Sequence, residues 1–259
     1  MTGADWPAPA PGAARLTRMV AAQTGLEVRT LARNGEQVLL TLIIPVLLLV
    51  VFSSEALISV GPGSRIGFIA PGILALAVLS TSFTSLAIGT AFERRYGVLK
   101  RLGATPLSRS GLIAAKAATV LAVEAGQVVL IVVVSLVLGW RPVITPTSVA
   151  SAVAVLVAGS LAFSGLAMLM AGTIRAEATL AAANLVYLVL LGIGGIVFPL
   201  TKFPASVRPA LRLLPSGAMS DGLRAVLRYG AGLPARDLLV LVAWAVIAIA
   251  IAARTFRWE

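Results

Sequence analysis

Few residues of this chain could do chemistry, and those that could are polar groups set among long apolar runs. Glu124 lies well inside the run from about Leu112 to Leu138, with Gln127 three residues later on the same helical face. An ionised carboxylate at mid-membrane is costly, so it must face protein or a watery cavity. Two readings are open: a polar site on a transport path or a subunit contact, or a hydrogen-bonded glutamate that ties two helices together. Lys116, two turns earlier on roughly the same face, is close enough to the boundary to snorkel. A second apolar run carries Ser80-Thr81-Ser82-Phe83-Thr84-Ser85. Its hydroxyls, those of Ser82 and Ser85 among them, can bond back to their own helix, cross to a neighbour or line a pore. Gly192, Gly194 and Gly195 permit close helix packing or bending in a third run.

The absences are equally informative. The sequence holds no cysteine and no histidine, which removes thiolate nucleophiles, disulfides, Cys/His metal sites and imidazole acid–base chemistry. No G-x-x-x-x-G-K-[ST] phosphate loop occurs, so the chain does not hold ATP in that manner. Asp221-Gly222 matches the start of the Asp-Gly motif of CDP-alcohol phosphotransferases, but only Asp237 follows where several spaced aspartates are needed for two metals. The chain therefore reads as non-enzymatic, with no cofactor or metal of its own.

The elements that must position these groups are membrane helices. Of 259 residues, 59% are hydrophobic and 12% charged, and the mean hydropathy is +0.99. A soluble domain would carry about a quarter charged residues. The formal net charge of +11 does not point to nucleic acid, because the basic residues flank apolar spans, where they orient helices and meet anionic lipid headgroups. Residues 1–13, rich in Ala, Pro and Gly, read as a disordered tail without signal-peptide character. Residues 14–259 form one membrane domain. Over 14–36, Arg15, Arg18, Arg29 and Arg33 share one helical arc, which predicts an amphipathic helix lying along the inner interface. Glu27 and Asn34 interrupt its apolar side.

Six spans are expected: about Gln37 to Ser54, extended by Ala56-Leu57-Ile58; Ile66 to Ala91, with a kink or entry point at Pro71-Gly72; Leu112 to Leu138; Thr147 to Thr173; Ala178 to Phe198; and Leu238 to Ala253. An even count puts both termini on one side, and the positive-inside rule makes that side cytoplasmic. The opposite short loops carry only Arg65 and Arg141. The segment 200–236 breaks the pattern, with Lys202, Arg208, Arg212, Arg224, Arg228 and Arg236 on the outer side. Prolines divide it into two short amphipathic helices, in the outer interface or dipping into it. The second carries a stripe of Met219, Leu223, Val226 and Leu227, with Arg224 off that stripe. If the segment is instead cytoplasmic, the span count is off by one.

Between the second and third spans lies a basic island, residues 92–109: Phe-Glu-Arg-Arg-Tyr-Gly-Val-Leu-Lys-Arg-Leu, then Ala-Thr-Pro-Leu-Ser-Arg. Such a run cannot sit in lipid. Leu99 and Leu102 on one side of a short helix could enter a groove, while Glu and Arg fix orientation by charge. Gly97 would allow close approach, and Pro106 would stop the helix. This order of residues resembles the loop between spans 2 and 3 of type-2 ATP-binding-cassette exporter permeases. The amphipathic leader, six spans and long last outer loop are similar as well, over nearly the whole chain beyond residue 14. Leu-Lys-Arg-Leu resembles the drug and antibiotic exporter branch.

The resemblance implies an all-α permease subunit in the plasma (cell inner) membrane that pairs with a second permease subunit, as homodimer or heterodimer. ATP and magnesium would be held by two separate ATPase subunits. It further implies a coupling helix made by Glu93, Arg94, Arg95, Gly97, Leu99, Arg101 and Leu102, ended by Thr105 and Pro106. The cargo would be a hydrophobic drug, antibiotic or lipid-like solute moved outward. A permease for polysaccharide or lipid-linked glycan, and a membrane scaffold or sensor with no transport path, are the alternatives.

Overall fold

The computed structural model describes residues 14–35, 39–54 and 64–256. The expected tail 1–13, the extension of the first span over 56–58 and the end of the basic C-terminal tail lie outside the described residues. All regular secondary structure among the described residues is helical: α1 (Leu16–Arg33), α2 (Ile44–Ser54), α3 (Arg65–Arg95), α4 (Val98–Gly103), α5 (Arg109–Val137), α6 (Pro146–Thr173), α7 (Ala176–Ile193), α8 (Arg208–Leu211), α9 (Pro215–Leu227) and α10 (Ala235–Thr255).

Five of these, α3, α5, α6, α7 and α10, are long and apolar enough to cross a membrane. The first expected span is described only as an apolar helix over Thr41–Ser54, 14 residues, against about 20 needed for a crossing. Local signals set the helix starts. The Ser64 and Ser108 hydroxyls accept from the amides of Gly67 and Gly111, each at 3.2 Å, and Thr145 with Ser148 closes a capping box ahead of Pro146.

The long helix α3 is the centre of the bundle. Its first half, from Ile66 to Val78, is buried throughout, and the helix touches α2, α5, α6, α7 and α9. Pro71 lies within it, but the irregular turn is further on: Leu79–Ser85 is wound as a π-helix. The extra residue per turn lets the adjacent Thr81 and Ser82 both reach the same neighbour, α5. On the other side of the bundle α6 and α10 pack along their length, with Gly165 against Ala248 and Ile249.

One expectation for the second half of the chain is corrected. The fifth span does not continue to Phe198. It ends at Ile193, and residues 194–198 run as an irregular, largely buried segment. Gly195 adopts φ +70°, a left-handed turn that glycine takes without steric cost. The second short helix of 200–236 is enclosed by the chain itself. Helix α9 is sunk among α3, α6 and α10, with Met219, Leu223 and Val226 fully enclosed.

Arg224 is enclosed with them, at 5% exposure. Its guanidinium donates to the carbonyls of Phe68 (3.2 Å), Gly195 (2.6 Å) and Ile196 (2.8 Å). The same group lies 3.7 Å from the centre of the Phe68 ring, and Asp221 is 3.9 Å away. Burial lowers the Arg224 pKa to about 10, partly offset by Asp221, so it remains cationic at neutral pH. Burial in turn pushes Asp221 up, opposed by Arg224, Arg212 and Arg236. A fork of donors is what the broken end of α7 needs, because its carbonyls have no next turn to bond.

Gly72 makes room for this arrangement. A Cβ there would collide with the Ile196 carbonyl oxygen and stand 2.8 Å from an Arg224 nitrogen. Gly72→Val is therefore expected to lower stability by about 1–3 kcal/mol through forced displacement. Gly89→Ala, where a Cβ would meet nothing within 4 Å, should be neutral or stabilising by up to about 1 kcal/mol. Thermal unfolding of the two variants in detergent measures the difference.

Candidate functional site

Two groups of polar residues stand out, one inside the bundle and one at the end of α3. Inside, Glu124 is 4% exposed and is contacted from two helices at once. Ser82 of α3 donates to one carboxylate oxygen and Ser160 of α6 to the other. Gln127, one turn on, accepts from Thr81 Oγ1 at 2.9 Å and donates to the Thr41 carbonyl at 2.7 Å. Glu124 and Gln127 thus bind α5 to α3, to α6 and to the chain entering α2. Ser85 is half-buried on the next turn of α3 and makes no hydrogen bond to Glu124. The carboxylate is turned into the chain's own interior. Ser160, Thr81 and Thr41 complete the set; the serine at mid-α6 was the one cue in the sequence for the third helix.

The basic island is divided differently from the sequence expectation of one contact helix. Glu93, Arg94 and Arg95 are the last turn of α3, and each is engaged within the chain. The Lys116 ammonium lies 2.6 Å from Glu93 and 3.7 Å from Glu27 of α1, so Lys116 reaches two carboxylates instead of snorkelling to headgroups. Arg94 donates to the carbonyl of Ile174, the residue that ends α6. Arg95 pairs with Glu177 in the first turn of α7.

The chain then turns at Tyr96-Gly97. Gly97 has φ +69° and a Cβ there would meet nothing of the chain within 4 Å, so within the chain this glycine serves the turn. Helix α4 follows. Leu99 is fully buried against the chain itself and is not offered to an external groove. Leu102 is half-buried, while Lys100 and Arg101 are exposed on α4, Tyr96 in the turn before it, and Thr105 and Pro106 beyond its end. Thr105 Oγ1 donates to the Leu102 carbonyl at 2.6 Å beyond the end of the helix.

Helix α1 lies along the start of α5. A Cβ on Gly111 would stand 2.9 Å from Leu16, and Thr24 Oγ1 donates to the Ala115 carbonyl at 3.3 Å. Its arginines Arg15, Arg18, Arg29 and Arg33 are exposed.

A short basic helix thus lies between the membrane helices α3 and α5. The family model for ABC-2 family transporter proteins matches residues 59–254. The chain belongs to that family, whose members are transmembrane permease components and not the ATPase, and which work with ATP-binding-cassette ATPase subunits. A search of curated proteins finds no match.

The Glu124 arrangement makes a specific demand on shape. Glu124→Gln keeps an acceptor and a donor for the two serines and should change stability by less than about 1 kcal/mol. Glu124→Leu leaves the buried Ser82 hydroxyl without its acceptor and should cost about 1–3 kcal/mol. Equilibrium unfolding in mixed detergent and SDS separates the two outcomes.

Proposed function

We propose that this chain is the permease subunit of an exporter that moves a hydrophobic drug, antibiotic or lipid-like solute outward across the plasma membrane. Two separate ATPase subunits, which carry ATP and magnesium, drive it. The observation that carries this reading is the outward face of α4. Lys100 and Arg101 are exposed side by side on a short helix held between two membrane helices by the buried Leu99. Two adjacent cations fit an acidic groove on an ATPase subunit.

Further features support the rest of the reading. An open groove of about 610 Å³ runs between α6 and α10, lined only by alanine, valine, leucine and isoleucine, among them Ala154, Leu161, Val246 and Ala253. A solute that enters it must be apolar. Asn184, whose amide nitrogen donates to the Leu180 carbonyl at 2.9 Å, is exposed in the middle of α7, beside the exposed Leu185 and Leu188, and its side-chain oxygen is left on that face. A polar amide facing lipid is unfavourable, which favours a second permease subunit on that face. Six spans with both termini cytoplasmic place α1 and α4 on the same side as the ATPase, with α9 dipping into the membrane from the other. That arrangement takes the segment around α2 as the first span.

Lys100→Glu with Arg101→Glu should weaken co-purification of the ATPase at least tenfold, the size expected when like charges are set against an acidic surface. Stability of the permease should be unchanged, because both side chains are exposed. Quantitative pull-down from cell membranes, with the melting curve as control, measures this. ATPase recovery at the wild-type level would remove α4 as the docking element.

A further inference from the structure

Three consecutive charged residues at the end of α3 are each committed to a different helix. Glu93 goes to Lys116 of α5, Arg94 to the end of α6, and Arg95 to the start of α7. Immediately after them the chain turns at Gly97 into α4, so a push on α4 arrives first at this turn. Lys116 is the enclosed member of the group, 4% exposed. It joins three elements, since Glu27 of α1 is also within 3.7 Å, and Gln23 Nε2 steadies that carboxylate from one turn away at 2.8 Å.

We propose that Lys116 is a positioning residue for ATP-driven motion. It makes α1, the last turn of α3 and the start of α5 move as one body, so that displacement of α4 reaches the third span. The proposal rests on the permease reading above. The physical reason is the isolation of the ammonium. Removed from water, it cannot part from its carboxylates without being left as an uncompensated charge. Relative motion within the triad is therefore disfavoured, while motion of the triad as a unit is not. The two carboxylates are not equal. The ammonium stands 2.6 Å from Glu93 and 3.7 Å from Glu27.

The sequence contains no cysteine, so a cysteine placed at Val137 is the only thiol of the chain. Val137 is the last residue of α5, at the far end from Lys116, and is 82% exposed. The probe is a charged maleimide, applied to the complex of this chain with its co-purified ATPase in lipid nanodiscs. Labelling is compared without nucleotide and with ATP plus vanadate. Against the wild-type background the labelling rate should change by about fivefold, a modest coupling. Lys116→Met should reduce the change to less than about twofold while ATPase binding and hydrolysis persist. Lys116→Arg should restore most of it, and so should the exchange Lys116→Glu with Glu93→Lys. Glu27→Gln should leave more of it than Lys116→Met does.

A Lys116→Met complex that keeps the wild-type response overturns the proposal. So does a wild-type complex whose Val137 site ignores nucleotide. If Lys116→Met does not fold, the exchange variant decides: a folded exchange protein without response counts against the proposal, and one with it counts in favour. A wild-type chain that binds no ATPase fails the permease reading itself, and the proposal falls with it.

Discussion

In a chain this apolar, a charge held away from water must be answered from within the chain, and those answers fix how the helices sit. Arg224 is answered by three carbonyls and a ring face, two of the carbonyls freed where α7 breaks off. Lys116 is answered by two carboxylates from two other helices. Glu124 is held by hydroxyls from α3 and α6. Each buried polar group therefore acts as a junction. Together they leave little freedom in how α3, α5, α6, α7 and α9 are arranged around the apolar core.

The junctions differ in kind along the bundle, and the difference bears on function. Around Arg224 the bonds are made to backbone, which is fixed, and Gly72 admits no side chain between them. That end is built to hold its shape. At the other end of α3 the bonds join side chains on four separate helices, next to a glycine turn with open space around it. Side-chain ion pairs can travel with their helices as a body. A permease powered by a separate ATPase has the same requirement: a rigid far end, and a near end where a push is collected and shared.

Much of this was legible in the sequence, and what was not has definite physical causes. The long spans could be read because a membrane crossing needs an unbroken apolar run. The end of the fifth could not, since Ile196-Val197-Phe198 continue the apolar character past the glycines. The chain leaves the helix at the left-handed Gly195, and the carbonyls of Gly195 and Ile196 beyond it are held by an arginine from α9, distant in sequence. Leu99 shows a similar limit: its spacing with Leu102 announces an apolar face but not which body covers it, and the chain covers Leu99 itself. Gly97 was readable as necessary, though the reason proved to be its positive φ. The partners of Glu93, Arg94 and Arg95 could not be read, because Lys116, Ile174 and Glu177 lie on other helices. Glu124 and Gln127 were visible as a pair. Ser160 was less so, being one hydroxyl in a helix where serine is common.

On the proposed reading, energy enters through the exposed Lys100 and Arg101 of α4. Site-specific photo-crosslinking tests it most directly, with a photoreactive side chain placed in turn at residues 94, 95, 99, 100 and 101 in cells that contain the ATPase. The account predicts adducts to the ATPase from positions 100 and 101, and none from 94, 95 or 99, whose side chains are engaged or enclosed within the chain. Adducts concentrated at 94, 95 or 99, with 100 and 101 silent, would contradict it.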